Sequence, residues 1–149
     1  MPHRWIKNFD ALATSEQRRF VLELIEAALN AIDTEQIIRR HLRLDGTTLS
    51  IKGERFDLAQ YRSIRVIGFG KVACKAAAAL EAVLGDRITA GVVIGLTPGT
   101  HGTIQSFGGP HPRPSAQNVE NSRRIVELAN GLSEADLVLG IASGGGSSL

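Results

Sequence analysis

The chain has 149 residues, 43% of them hydrophobic and 21% charged, with a formal net charge of +2 at pH 7. That is long and apolar enough for one domain with a real core, and it excludes a disordered or fibrous chain. No basic run interleaved with aromatics is present and no apolar stretch approaches the roughly 20 residues that span a bilayer, so neither nucleic acid nor a membrane is an expected partner. The single cysteine, Cys74, rules out an internal disulfide framework and fits a reducing compartment. Residues 1–7 carry no hydrophobic signal-peptide core, and a cytoplasmic location is expected.

Thr14-Ser15-Glu16-Gln17 has the form of a helix start, with Thr14 as the cap and Gln17 three residues on. Phe20, Leu24, Ala27, Ala28 and Ala31 then recur at helical spacing and predict a core-facing stripe. Asp33 is placed to cap a second helix from Thr34 to about Leu42. Asp45-Gly46 marks a turn, and residues 47–51 and 55–58 around Lys52-Gly53-Glu54 predict a β-hairpin. From Ser63 the pattern changes: a strand at 64–68, an Ala-rich helix from about 71 to 84, and a β-branched strand at 90–96. Strand, helix and strand at this spacing predict a right-handed βαβ unit with parallel strands. Residues 97–114 are rich in Gly, Pro and His, a loop so long that it is either functional or hides another strand, for which 104–107 is the candidate. Ser115 caps a helix to about Asn130, with Gly131 as its C-cap, and residues 137–141 form the last strand. Residues 9–60 thus read as a helical and hairpin lead-in to a βαβ-type core at 63–149.

Chemistry concentrates at three strand ends. Gly68-Phe69-Gly70-Lys71-Val72-Ala73 matches the short G-x-G-x-x-A form of the dinucleotide fingerprint, but the next strand ends Ile94-Gly95-Leu96-Thr97, with no acidic residue for a ribose hydroxyl. Lys71, read as lying in the first helical turn, is unfavourable beside the positive end of the macrodipole; an anion held there accounts for it, and so, equally, does a solvent-facing lysine at a cost of roughly a few tenths of a kcal/mol. Cys74 reads as a small buried hydrophobe more readily than as a nucleophile, having no histidine near it in sequence. His101 and His111 have no metal-ligand spacing, and no metal ligands are expected. The proline-stiffened His111-Pro112-Arg113-Pro114 suits either a rigid ligand-holding loop or a plain connector. Ala142-Ser143-Gly144-Gly145-Gly146-Ser147-Ser148 is neither a nucleophile elbow nor a Walker A loop. Its glycines suit an anion nest of backbone N–H groups, with Ser143, Ser147 and Ser148 as added hydroxyls.

In this order and spacing, residues 66–73, 109–115 and 141–148 resemble the class II glycerate 2-kinases, whose members pair an N-terminal Rossmann-like domain with a C-terminal MOFRL domain. The resemblance runs from about Phe9 to Leu149 and implies the N-terminal portion of a three-layer αβα, Rossmann-like α/β fold with a partial parallel sheet, lacking the C-terminal domain. It implies ATP-dependent phosphorylation of D-glycerate at the 2-hydroxyl, with Mg²⁺. The family's proposed catalytic lysine falls on Lys71. Phosphate or substrate binding falls on Gly70, Lys71, His111, Ser143, Gly144, Gly145, Gly146 and Ser147. The family's usual G-H-P-x-P-D differs here, since Pro110 precedes the histidine and Ser115 stands for the aspartate. Family members are much longer, so the chain is expected to be inactive alone. A hydroxypyruvate reductase or other NAD(P)-linked oxidoreductase is the competing enzyme reading. A non-enzymatic anion-binding or self-assembling chain, a homo-oligomer through an exposed sheet edge, is a third.

Overall fold

The computed structural model describes residues 4–149, apart from the side chain of His101. The first residues of the N-terminal stretch searched for a signal peptide, 1–3, lie outside the described residues. Helix α1 (Phe9–Leu12) buries Phe9 beneath the Arg4 guanidinium, 4.1 Å from the ring centre. Helix α2 spans Glu16–Ala31, and its cap is Ser15, whose hydroxyl accepts the Arg18 N–H. The cap falls one residue after Thr14 because the Thr14 N–H closes the preceding turn on the Leu12 carbonyl, while Ser15 is extended. The stripe predicted for the core is not buried: Phe20 is 61% and Leu24 54% exposed. Among the described residues, nothing lies over that face of α2.

Asp33 caps α3 (Thr34–His41) by accepting the Gln36 N–H at 3.0 Å. An antiparallel meander follows in the order β1 (Leu42–Asp45), β2 (Thr48–Ile51), β3 (Glu54–Asp57). Strand β1 is absent from the sequence reading because Leu42 and Leu44 directly extend the apolar pattern of α3. The predicted hairpin is β2–β3, and its two-residue turn takes Lys52 and Gly53 to positive φ, 49° and 95°. That is the turn geometry whose twist matches paired strands.

The second sheet holds β4 (Ser63–Phe69), β5 (Ala90–Gly95), β6 (Gly99–His101), β7 (Ile104–Gly108) and β8 (Asp136–Ala142). Its order is β6-β7-β5-β4-β8. Strands β7, β5, β4 and β8 are parallel, and β6 pairs antiparallel on the outer side of β7. The Gly/Pro-rich segment therefore contains two strands where the sequence marks one candidate. Helix α4 (Ala73–Leu84) connects β4 to β5, and α5 (Ala116–Ala129) connects β7 to β8. These right-handed crossovers run in opposite directions from the middle of the sheet, which puts their helices on opposite faces. The expected α/β architecture with a parallel sheet is what the chain forms.

Four alanines, Ala73, Ala76, Ala77 and Ala79, are nearly or wholly inaccessible on α4 and let it lie close between the sheet and α3. Leu42, Leu49 and Leu58 from the meander side join Ile64, Val66, Val93 and Ile104 of the parallel sheet in one core around α4. Alternation along β4 follows from this, with Ile64, Val66 and Gly68 facing α4. At the amino ends of β4 and β8, Asp136 accepts from the Ser63 hydroxyl (2.7 Å), the Ser133 N–H (2.9 Å) and the Arg62 guanidinium (2.7 Å). Those bonds hold its carboxyl well below the usual carboxylate range, the Ser63 bond most strongly.

Candidate anion site at the strand ends

At the opposite, carboxyl ends of β4 and β8, the crossover from β4 departs toward β5 while β8 lies on its other side, and ligands of open parallel sheets bind in crevices at such strand ends. The loops there are knitted together. The Ser143 N–H donates to the Phe69 carbonyl (3.0 Å), and the Lys71 N–H donates to the Gly144 carbonyl (2.9 Å). The Gly70 N–H donates to the Ile94 carbonyl (3.0 Å), the Val72 N–H to the Ser143 hydroxyl (3.3 Å), and the Ala73 N–H to the Gly70 carbonyl (3.0 Å). A dinucleotide fold leaves such N–H groups for pyrophosphate. Here the chain itself consumes them. Gly70, at φ +118°, is needed because a Cβ there would fall on Ser143.

Lys71 corrects the sequence reading in one respect. It sits in the β4–α4 turn, with Val72 as the N-cap, and not in the first turn of the helix. Its side chain is exposed, and no carboxylate pairs with it among the described residues. It lies over Gly145, where a Cβ would meet Lys71 Cε at 3.0 Å and His111 Cε1 at 3.1 Å. Gly145 also takes φ +86°, so glycine is demanded twice over. The structure therefore brings Lys71, His111 and Gly145 into one cluster, from three segments far apart in sequence.

Of the loop, Gly144 has open space where a Cβ would stand, and Gly146 lies against the Phe69 ring. Among the described residues, the Gly144 and Gly145 N–H groups donate to no acceptor. Ser143 faces the β4–α4 turn, and its hydroxyl oxygen accepts the Val72 N–H. Ser147 is exposed on a short 3-10 turn, Gly146–Ser148. Cys74 is buried with its sulfur against Gly95, 2.5 Å from where a Cβ would be, which fits a packing role. His101 lies in β6, and its side chain is outside the described residues.

Two further residues complete the arrangement. Ser148 Oγ is 2.8 Å from His111 Nδ1, on a chain already tied back to the Gly145 carbonyl. Asn118 is buried at the start of α5; its Oδ1 accepts the Ser115 N–H, and its Nδ2 donates to the carbonyls of Pro110 (3.1 Å) and Ser148 (3.0 Å). One side chain thus locks the histidine loop to the glycine loop. Ser148 is among the loop hydroxyls that the sequence offers as anion ligands, and here it meets the His111 ring. Asn118 was beyond sequence reasoning, since an Asn at the third helical position signals only a cap.

A family model described as a domain of unknown function, DUF4147, matches residues 20–149. The chain belongs to that family. Human glycerate kinase is 32% identical to this DUF4147 chain over 158 residues, covering 93% of the chain and 29% of the relative. A putative hydroxypyruvate reductase of Agrobacterium vitis is 41% identical over 88 residues, 56% of the chain and 22% of the relative. The crystal structure of glycerate kinase from Thermotoga maritima superposes with a TM-score of 0.69 at 25% identity, covering 88% of the DUF4147 chain and 29% of its own. The DUF4147 chain corresponds to the N-terminal part of the glycerate kinase family. It spans about 30% of the length of the curated relatives it matches.

Proposed function

We propose that this region supplies the phosphate-binding side of an ATP-dependent D-glycerate 2-kinase. The observation that carries the reading is Lys71, which has no carboxylate partner among the described residues and is set over Gly145 and beside His111 at the crevice of the sheet. Phosphoryl transfer asks a protein chiefly for positioning and for neutralisation of charge on the transferred group. Lys71 supplies a mobile positive charge and the Gly144 and Gly145 N–H groups supply fixed donors. His111 orients the substrate hydroxyl. Similarity to glycerate kinases over nearly the whole chain supports the substrate class.

Among the described residues, no group of three His, Cys, Asp or Glu side chains converges anywhere. A Mg²⁺ ion accompanying ATP does not fit a carboxylate cage of this region, and its phosphates are the ligands left for it. The crevice is also open on the α5 face, with Phe69 43% exposed, so water has access to the transferring group. Catalysis of this kind needs charge neutralised on several sides and water excluded. The 149 residues alone are therefore expected to bind without turning over.

The test has two arms. In calorimetry, D-glycerate and ATP bind the chain, and Lys71→Met weakens the phosphate-bearing ligand about ten- to hundred-fold, the range of one lost charge-assisted contact. Equal binding by the variant, or none by the parent, overturns the site. In coupled assays the chain shows no ADP release, and ADP release with D-glycerate would refute inactivity. A reductase is the second reading, favoured by the match to the Agrobacterium vitis protein. Against it stands the consumption of the Gly70–Ala73 N–H groups by the chain itself. NADH oxidation with hydroxypyruvate would decide for it.

A further inference from the structure

Ser148 Oγ faces two partners, His111 Nδ1 at 2.8 Å and the Gly145 carbonyl at 3.2 Å. A hydroxyl carries one proton, and a carbonyl can only accept. Both contacts are hydrogen bonds at once in one arrangement alone: the Ser148 hydroxyl donates to Gly145, and His111 Nδ1–H donates to Ser148. The reverse, with Ser148 donating to the ring, leaves the Gly145 contact without a proton. Asn118 holds the serine in place through its backbone, by donating to the Ser148 carbonyl, and fixes the histidine loop through the Pro110 carbonyl. The ring is half-buried, and its Cε1 edge is turned toward Gly145 and Lys71.

We propose that Ser148 sets the tautomer of His111 so that Nε2 keeps a free lone pair and serves as the proton acceptor for the substrate hydroxyl. The inference rests on the kinase reading above. The hydroxyl O–H bond breaks and its proton goes to His111 Nε2. The hydroxyl oxygen forms a bond to the terminal phosphorus of a nucleoside triphosphate, and the bond from that phosphorus to the bridging oxygen breaks. The nucleoside diphosphate leaves with that electron pair, and the imidazolium later returns its proton to water. Lys71, across Gly145 from the ring, meets the charge on the transferred phosphoryl group, and the histidine meets the proton. Ser148 is a positioning residue in this scheme, touching neither reactant.

Long-range nitrogen NMR on the 149-residue chain tests this without turnover. A pH series read on its neutral limb is expected to show His111 with Nδ1 protonated and Nε2 bare. Ser148→Ala raises the Nε2-protonated fraction, and Ser148→Thr restores the parent tautomer; the amide spectrum confirms that each variant is folded. Titration with D-glycerate and with inorganic phosphate shifts the Gly144 and Gly145 amides and the His111 ring signals. A parent ring protonated at Nε2, or a tautomer indifferent to Ser148→Ala, overturns this inference while leaving the anion site standing. No shift at Gly144, Gly145 or His111 with either probe overturns the site and this inference together.

Discussion

At the scale of single residues, the two ends of β4 and β8 do opposite work. At the carboxyl ends, Lys71 has no carboxylate partner among the described residues, and Gly145 lacks a side chain where Lys71 and His111 come together, so positive charge is left over there. At the amino ends, Asp136 is saturated with donors and serves the fold. Its depressed pKa has a definite consequence for stability. The native state prefers the ionised form, so the contribution is fully present above the ordinary aspartate value of about 3.9 and is lost as pH falls from there toward the lower native value. The urea midpoint of the parent is expected to drop on acidification below about pH 4. Asp136→Asn lowers the midpoint at neutral pH and flattens that drop. A variant whose midpoint tracks the parent's at every pH would remove Asp136 from the account. Neither role is legible at Asp136 in the sequence, where it is one more acidic residue before a strand. Lys71 stands out there because it follows a glycine at a strand end, and Gly145 because it lies in a run of three.

Among the elements, α4 and α2 show where local pattern suffices and where it fails. Helix α4 is legible because its alanines leave one reading, a helix pressed against something flat, and it packs between the sheet and α3. Ala77 has no exposed surface, so Ala77→Leu is expected to cost about 1–3 kcal/mol by overpacking, measured by urea unfolding. A cost under ~0.5 kcal/mol, the range of ordinary surface changes, would mean that the close helix–sheet contact is absent. Helix α2 has the stronger amphipathic stripe and yet buries no residue. Periodicity reports that a face is apolar; it does not say what covers it. The missed strands have related causes. Strand β1 hides in the tail of a helical pattern, and β6 is three residues long inside a Gly/Pro-rich stretch. Short strands gain their order from a neighbour, and β6 has one only because β7 inserts between it and β5.

For the whole molecule, the consequence of α4 is that two sheets share one core. The lead-in and the βαβ region, separable in sequence by the change of pattern at Ser63, are expected to unfold together. Leu49, fully buried in the meander, should cost about 2–5 kcal/mol when changed to Ala, and the fluorescence of Trp5 and far-UV circular dichroism should still give coincident transitions. Two separated transitions would show that the lead-in, on whose helix α2 Trp5 packs, unfolds independently of the parallel sheet. By itself the sequence determined the alternation of strands and helices, the α/β class, the caps at Asp33 and Ser115, and three glycine- or proline-marked loops at the strand ends. All of these follow from local rules of periodicity, capping and backbone freedom. The tertiary structure alone decided that those loops meet at one crevice, that the Lys71 and Val72 N–H groups of the fingerprint are consumed by residues 143–144, and that Asn118 and Ser148 fix the His111 loop. Most of these contacts join positions far apart in the chain, Lys71 to Gly144 and Val72 to Ser143 among them, and spacing along a chain carries no information about which distant donor finds which acceptor.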